Sequence, residues 1–289
     1  MSSSAATDVA VAPWRRLFLS HISKMDSPEF VFSTLSLADP NESATPYVPR
    51  ARYCIFRGMW GELPANSYND APKNERNYQS DLPTLTTDVR MHKIPEIFAS
   101  SAGHEDSSQT ESQGCDGGGA VEAVFWVKEA MTQWRFRGKA YVVGPGIEGP
   151  GEDPIGVRMV KREIGKRMKV IKEAGRESWS WATELTAHFG NLSPTMRGTF
   201  KNPAPGSPMS LPPTDKSLRL GQQVSDLEDP VARKNFRVVI IKPDEVERVD
   251  LSNPERVQRW KFTYVSPKSG PLDQRREGVG EWKTEELWP

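Results

Sequence analysis

Apolar positions recur along this chain at two spacings, and each change of spacing marks a change of element. Behind Pro13, residues 14–25 place Leu17, Phe18, Ile22 and Met25 on one face of a helix. Residues 30–37 then alternate as a strand, Asp39-Pro40-Asn41-Glu42 turns the chain, and residues 47–59 predict a second strand. Residues 82–85 read as the end of a short strand. Beyond the polar run 86–93, Ile94, Ile97 and Phe98 return at helical spacing. The most regular strands are 120–127 and 132–143, joined through Lys128-Glu129-Ala130-Met131 as a hairpin. In the second of them Gln133, Arg135 and Arg137 alternate with Trp134 and Phe136, so one face is polar and the other aromatic. Residues 157–174 predict an amphipathic helix with Val160, Ile164, Met168 and Ile171 as its stripe, and residues 177–189 a second helix. Residues 236–241 and 246–251 read as strands on either side of Lys242-Pro243-Asp244-Glu245, and 259–265 and 281–289 close the chain. Strands early, helices in the middle and strands late predict a mainly β fold, an antiparallel barrel with outer helices.

The interruptions set the domain organisation. Residues 1–12 read as a disordered tail, without the basic segment and apolar core of a leader. Residues 13–289 form one domain carrying loop insertions near 61–80, 100–119, 144–156 and 201–217. The last of these, with Pro203, Pro205, Gly206, Pro208, Pro212 and Pro213, is semi-rigid. Lys+Arg and Asp+Glu are equal at 38 each, so no net charge draws the molecule to nucleic acid or a membrane. Mean hydropathy is −0.60, with the polar excess concentrated in the loops. Two cysteines, Cys54 and Cys115, without a CxxC spacing favour a reducing compartment, and a cytoplasmic location is expected. Four scattered histidines offer no metal-ligand spacing, so no metal is expected.

Candidate chemistry centres on Thr86-Thr87-Asp88-Val89-Arg90-Met91-His92-Lys93, where a strand hands over to a helix. Hydroxyls, first-turn N–H groups and the cations Arg90 and Lys93 converge there, which suits a phosphate. An ordinary helix cap by Thr87 or Asp88, with the cations in solvent, fits the same octapeptide. The basic run Arg158, Lys161, Arg162, Lys166, Arg167, Lys169 and Lys172 invites a nucleic-acid reading, but it flanks an apolar stripe and reads better as a solvated helix face. Trp179 and Trp181 read as packing residues, and Cys54 as a small buried apolar one.

The order of these pieces resembles the FMN-binding split-barrel proteins of the pyridoxamine 5'-phosphate oxidase family, in the branch of oxidase-related flavoproteins of unassigned substrate. The landmarks are Pro13-Trp14-Arg15, Arg52-Tyr53-Cys54-Ile55-Phe56-Arg57-Gly58, and Thr87-Asp88-Val89-Arg90 with Lys93. Gln133-Trp134-Arg135-Phe136-Arg137-Gly138, Leu192-Ser193 with Arg197, Pro203 with Pro205-Gly206, Val246-Glu247 and the terminal Trp282 to Pro289 continue the series. The resemblance implies an FMN-binding homodimer acting as an oxidoreductase on a small molecule. It places Arg52 on the phosphate, the backbone of Tyr53, Cys54 and Ile55 along the flavin, and Thr86, Thr87, Arg90, His92 and Lys93 about the phosphate and ribityl chain. Gln133 matches a side chain that reaches the cofactor from the partner subunit, and Ser193 and Arg197 match a further lining stretch. Arg57, Arg256 and Arg259 fall on substrate contacts. Met91 and His92 replace a small hydroxyl residue and an arginine of the vitamin-processing oxidases, Gln258 replaces a histidine and Arg57 a lysine. Poor turnover of pyridoxamine or pyridoxine phosphate is therefore expected. A flavin carrier or sensor without turnover is the alternative, and a nucleic-acid-associated protein a third.

Overall fold

The structure, a computed structural model, describes residues 12–41, 43–101, 114–173, 176–213, 215–266 and 280–289. Its main sheet runs β10-β9-β8-β6-β5-β1-β2 and is antiparallel throughout. The strands are β1 (Glu29–Leu37), β2 (Tyr47–Ile55), β5 (Asp116–Val127), β6 (Thr132–Val143), β8 (Phe236–Asp250), β9 (Gln258–Val265) and β10 (Glu281–Leu287). Strand β4 (Thr84–Asp88) joins the other side of β8. Just past β2, the Arg57 amide donates to the Thr84 carbonyl and the Thr84 amide to the Gly58 carbonyl, each at 2.9 Å. The sheet thus curls round until its β2 end reaches β4. Strands β3 (Tyr78–Ser80) and β7 (Met168–Val170) form a separate pair. The fold is mainly β with outer helices, as the pattern predicts.

Two cores lie on the two faces of the curled sheet. Inside it, helix α1 (Arg15–Ile22) drives Phe18 between Phe136 (ring centroids 4.7 Å apart), Phe125 and Trp134. Outside it, helices α3 (Ile155–Gly165) and α4 (Trp181–Gly190) lay Val157, Val160, Ile164, Leu185 and Phe189 on the sheet. Strand β8 serves both: Val239 and Ile241 face inward, Val238 and Ile240 outward. That is why residues 238–241 are a continuous apolar run rather than an alternating one. In the outer core His188 stacks on Trp60 at 5.6 Å, with Trp179 and Trp181 around them, so these tryptophans are packing residues as expected.

Several expectations are corrected. The segment Lys242-Pro243-Asp244-Glu245 does not separate two strands: β8 continues through it on a bulge opposite Gly138. A Cβ on Gly138 would lie 2.1 Å from the Lys242 carbonyl oxygen, so only glycine permits the close approach. The helix expected over 157–174 ends at Gly165, and Met168 goes into β7. Arg167 is not on a solvated face: it is buried, donates to both Asp81 carboxylate oxygens and lies 3.7 Å over the Tyr264 ring. That pair draws the chain off the helix axis. The helix expected over 177–189 begins only at Trp181, where Ser180 caps Thr183 and Glu148 accepts from the Trp181 and Ala182 amides. Residues 116–119 of the expected 100–119 insertion belong to β5, whereas residues 102–113, like 1–11 of the expected tail, lie outside the described residues.

Candidate flavin cleft

The free edge of β2, the end of β4 and the start of helix α2 (Lys93–Ala99) enclose a cleft of about 900 Å³. Its floor is formed by Tyr53, Cys54, Ile55, Arg57, Thr86, Thr87 and Lys93. Its roof is Leu192, Met196, Phe200 and the proline-rich strap 202–213. The size falls within the range of small-molecule sites, and the lining is largely apolar with a few polar groups, as a flat cofactor requires. Among the described residues, β2 leaves one edge without a neighbouring strand, so backbone groups along Tyr53 to Ile55 are available to a ligand.

Lys93 is the first residue of α2 and only 6% exposed. Its ammonium donates to the Thr87 hydroxyl at 2.9 Å, and among the described residues no carboxylate lies within ion-pair distance. Burial pushes its pKa below the ordinary lysine range. Such a group favours an anion that would restore the charge balance. Arg57 has the same character: its Nε is buried without a hydrogen-bond partner, and burial lowers its pKa. Cys54 also faces the cleft, its thiol pushed up by burial. A phosphate-bearing planar cofactor fits this donor set, with Lys93 and Thr87 at one place and Arg57 at another.

Other expected residues are occupied elsewhere. Arg52 leaves the strand toward Thr34 and pairs with Glu96 at 2.6 Å. Arg90 forks onto Asp88, from Nε at 2.9 Å and Nη2 at 2.6 Å, and its Nη1 donates to the Asn202 carbonyl at 2.9 Å. His92 is exposed before α2, beside Gly206 of the strap. Ser193 caps helix α5 (Pro194–Gly198) through the Met196 amide, and Arg197 turns inward over Phe189. Gln133 stands on β6 opposite the exposed Trp126, outside this cleft's lining. Arg256 is exposed in the turn before β9, and Arg259 pairs with Glu247 at 2.7 Å; neither lines the cleft. The strap is not legible as part of the site from its own residues. Its proline content marks a stiff loop, but nothing local says what it covers.

The expected solvated face of α3 holds for Arg158, Lys161, Arg162 and Lys166, which pair with Glu152, Asp153 and Glu163. Among the described residues no cluster of three or more histidine, cysteine or acidic side chains could hold a metal. None of their helices is long and apolar enough to cross a membrane.

Comparison with known proteins agrees with this geometry. Residues 11–144 match the family model "Pyridoxamine 5'-phosphate oxidase, FMN-binding domain", a stretch that contains every floor residue of the cleft. An uncharacterized protein of Saccharomyces cerevisiae, YGR017W, is 20% identical over 313 residues, covering 92% of this chain and 98% of its own. A crystal structure of a pyridoxamine 5'-phosphate oxidase-related, FMN binding protein from Nostoc punctiforme superposes with a TM-score of 0.51 at 17% identity. That match spans 97% of this chain and all of the other, and shows a shared fold. Residues 11–144 are thus similar to the FMN-binding domain of the pyridoxamine 5'-phosphate oxidase family, and the chain as a whole shares the split-barrel fold of an FMN-binding protein.

Proposed function

We propose that the protein binds FMN in the cleft and works as an FMN-dependent oxidoreductase, as a homodimer. The observation that carries this reading is Lys93, a buried cation held by Thr87 with no carboxylate within ion-pair distance among the described residues, on the floor of a largely apolar cleft. A phosphate monoester carries a charge of about −1.5 to −2 at neutral pH and would supply that balance. Lys93 and Thr87 then hold the phosphate, the free edge of β2 offers hydrogen bonds to the polar rim of the ring, and the roof excludes water. Bound FMN supplies the electron transfer itself, so no acid–base pair from the chain is required for it. Arg57, whose buried Nε has no hydrogen-bond partner among the described residues, attracts an acidic group on the substrate. Gln133 lies outside the lining of its own chain's cleft, which suits a contact with the cofactor of a second copy.

The test is an absorbance spectrum of the purified protein, followed by FMN titration of the wild type and Lys93→Ala. Bound FMN is expected, with affinity reduced on the order of tenfold to a hundredfold in the variant. Extraction of FAD, or an unchanged affinity in Lys93→Ala, overturns the reading. A flavin carrier or sensor without turnover is the second reading. It is favoured by Arg256 and Arg259 lying away from the cleft, Arg259 already paired with Glu247. Anaerobic reduction of the bound flavin by small reduced donors separates the two, since a carrier leaves the flavin oxidised.

A further inference from the structure

Arg90, which the sequence suggests for the phosphate, is engaged in something else. One guanidinium joins three separate partners. It is forked onto Asp88 at the end of β4, and it donates to the main-chain carbonyls of Asn202 (2.9 Å) and Phe200 (3.3 Å), where the strap begins. The Phe200 carbonyl is held a second time, by the Asn235 side chain at 2.8 Å, while the Asn235 carbonyl accepts from the Val89 amide. The strap beyond this point is poorly held. Among the described residues, 203–213 make only two main-chain hydrogen bonds, both internal, from Ser207 to Ala204 and from Leu211 to Pro208. Five prolines in that stretch lack an N–H to donate and stiffen it, so its main chain has few means of its own to fasten it to the body of the protein. At its far side the Gln222 amide gathers the carbonyls of Lys201, Ser217 and Arg219, which closes the base of the loop without touching its span.

We propose that Asp88 and Arg90 form a latch that fastens the proline-rich strap over the cleft, so that the pair governs retention of the cofactor by holding the strap. They are positioning residues. A planar fork with several donors meets a carboxylate and two carbonyls at once; a lysine in its place would reach one or two of them. The cofactor's identity rests on the FMN reading above, but the latch itself does not, and the two are tested apart. The cofactor-free wild type, Arg90→Met, Arg90→Lys and Asp88→Asn are digested briefly with thermolysin, and the cuts are mapped by mass spectrometry. Cleavage within 203–213 should accelerate on the order of tenfold in Arg90→Met and less in Arg90→Lys, with the rest of the digest unchanged. Unchanged cleavage of the strap in a folded variant overturns the latch. Release of FMN on dilution, followed by flavin fluorescence, should quicken in the same order. If the strap opens but release does not quicken, the role in retention is overturned. If Arg90→Met is not soluble, Asp88→Asn, which weakens the fork while keeping its shape, makes the same comparison. A wild type that binds no FMN defeats the functional reading, while the digest still decides the latch.

Discussion

Lys93 and Arg90 sit three positions apart with the same charge and opposite circumstances. Lys93 is buried with a hydroxyl for company, whereas Arg90 is neutralised by Asp88 two residues before it. The sequence marks both as phosphate candidates, because a motif shows which charges are near one another and not which pairs have already closed. Arg52 makes the same point: its partner Glu96 lies 44 residues away and one turn into α2. His188 gives a prediction at this scale. It is fully enclosed, neither ring nitrogen has a hydrogen-bond partner, and burial pushes its pKa down to about 3, with the charge of Arg57 adding to the effect. Above pH 6.5 the folded and unfolded chains both carry neutral imidazole. As the pH falls from 6.5 toward 3, the unfolded chain takes up a proton that the folded one refuses. Stability is then lost by up to about 1.4 kcal/mol per pH unit. Glu184, 3.8 Å away and pushed up by burial, acts with the opposite sign, losing stability as the pH rises. His188→Phe keeps the stacking on Trp60 and removes two unsatisfied nitrogens, so it should be near neutral at pH 7 and markedly more stable than wild type at pH 5. Equal drops in Tm between pH 7 and pH 5 for the two proteins would sink this account.

At the scale of elements, what the pattern of apolar positions reveals is what local forces decide. Strands β5 and β6, their hairpin and helix α1 lie close to where the alternation puts them, because each has one face against the inner core. The boundaries it misplaces are set by partners far along the chain. Arg167 leaves the line of α3 for Asp81, 86 residues earlier, and Pro243 is accommodated in a strand because Gly138 faces it. The bulge can be tested directly. Gly138→Ala puts a methyl group against the Lys242 carbonyl, and both strands there are central, so neither can yield cheaply. A loss of roughly 1–3 kcal/mol is expected from such overpacking. An unchanged urea midpoint would show that the strands can part to admit the methyl group.

The whole molecule leaves apolar surface that one copy does not cover. Tyr53 at the cleft floor is 76% exposed, and Trp126 beside Gln133 is 44% exposed. We expect a second copy to cover these residues, giving a dimeric mass at micromolar concentration by light scattering or analytical ultracentrifugation. A monomer that still holds flavin would refute this. The sequence alone suggests such pairing only through the resemblance, since an exposed aromatic on a strand looks the same whether it meets water or a partner. The placement of α1 has a different consequence, for the order of assembly. Phe18 meets one ring nearby in the chain, Phe56 at 5.7 Å, but the other ring partners of Trp14 and Phe18 are Phe125, Trp134, Phe136 and, 5.6 Å from Trp14, Trp282. The helix completes its packing only when β5, β6 and β10, far along the chain, are in place. Contacts of such long sequence separation slow folding and leave an apolar helix unprotected meanwhile. During refolding, α1 should therefore gain protection from hydrogen exchange late, together with β5, β6 and β10.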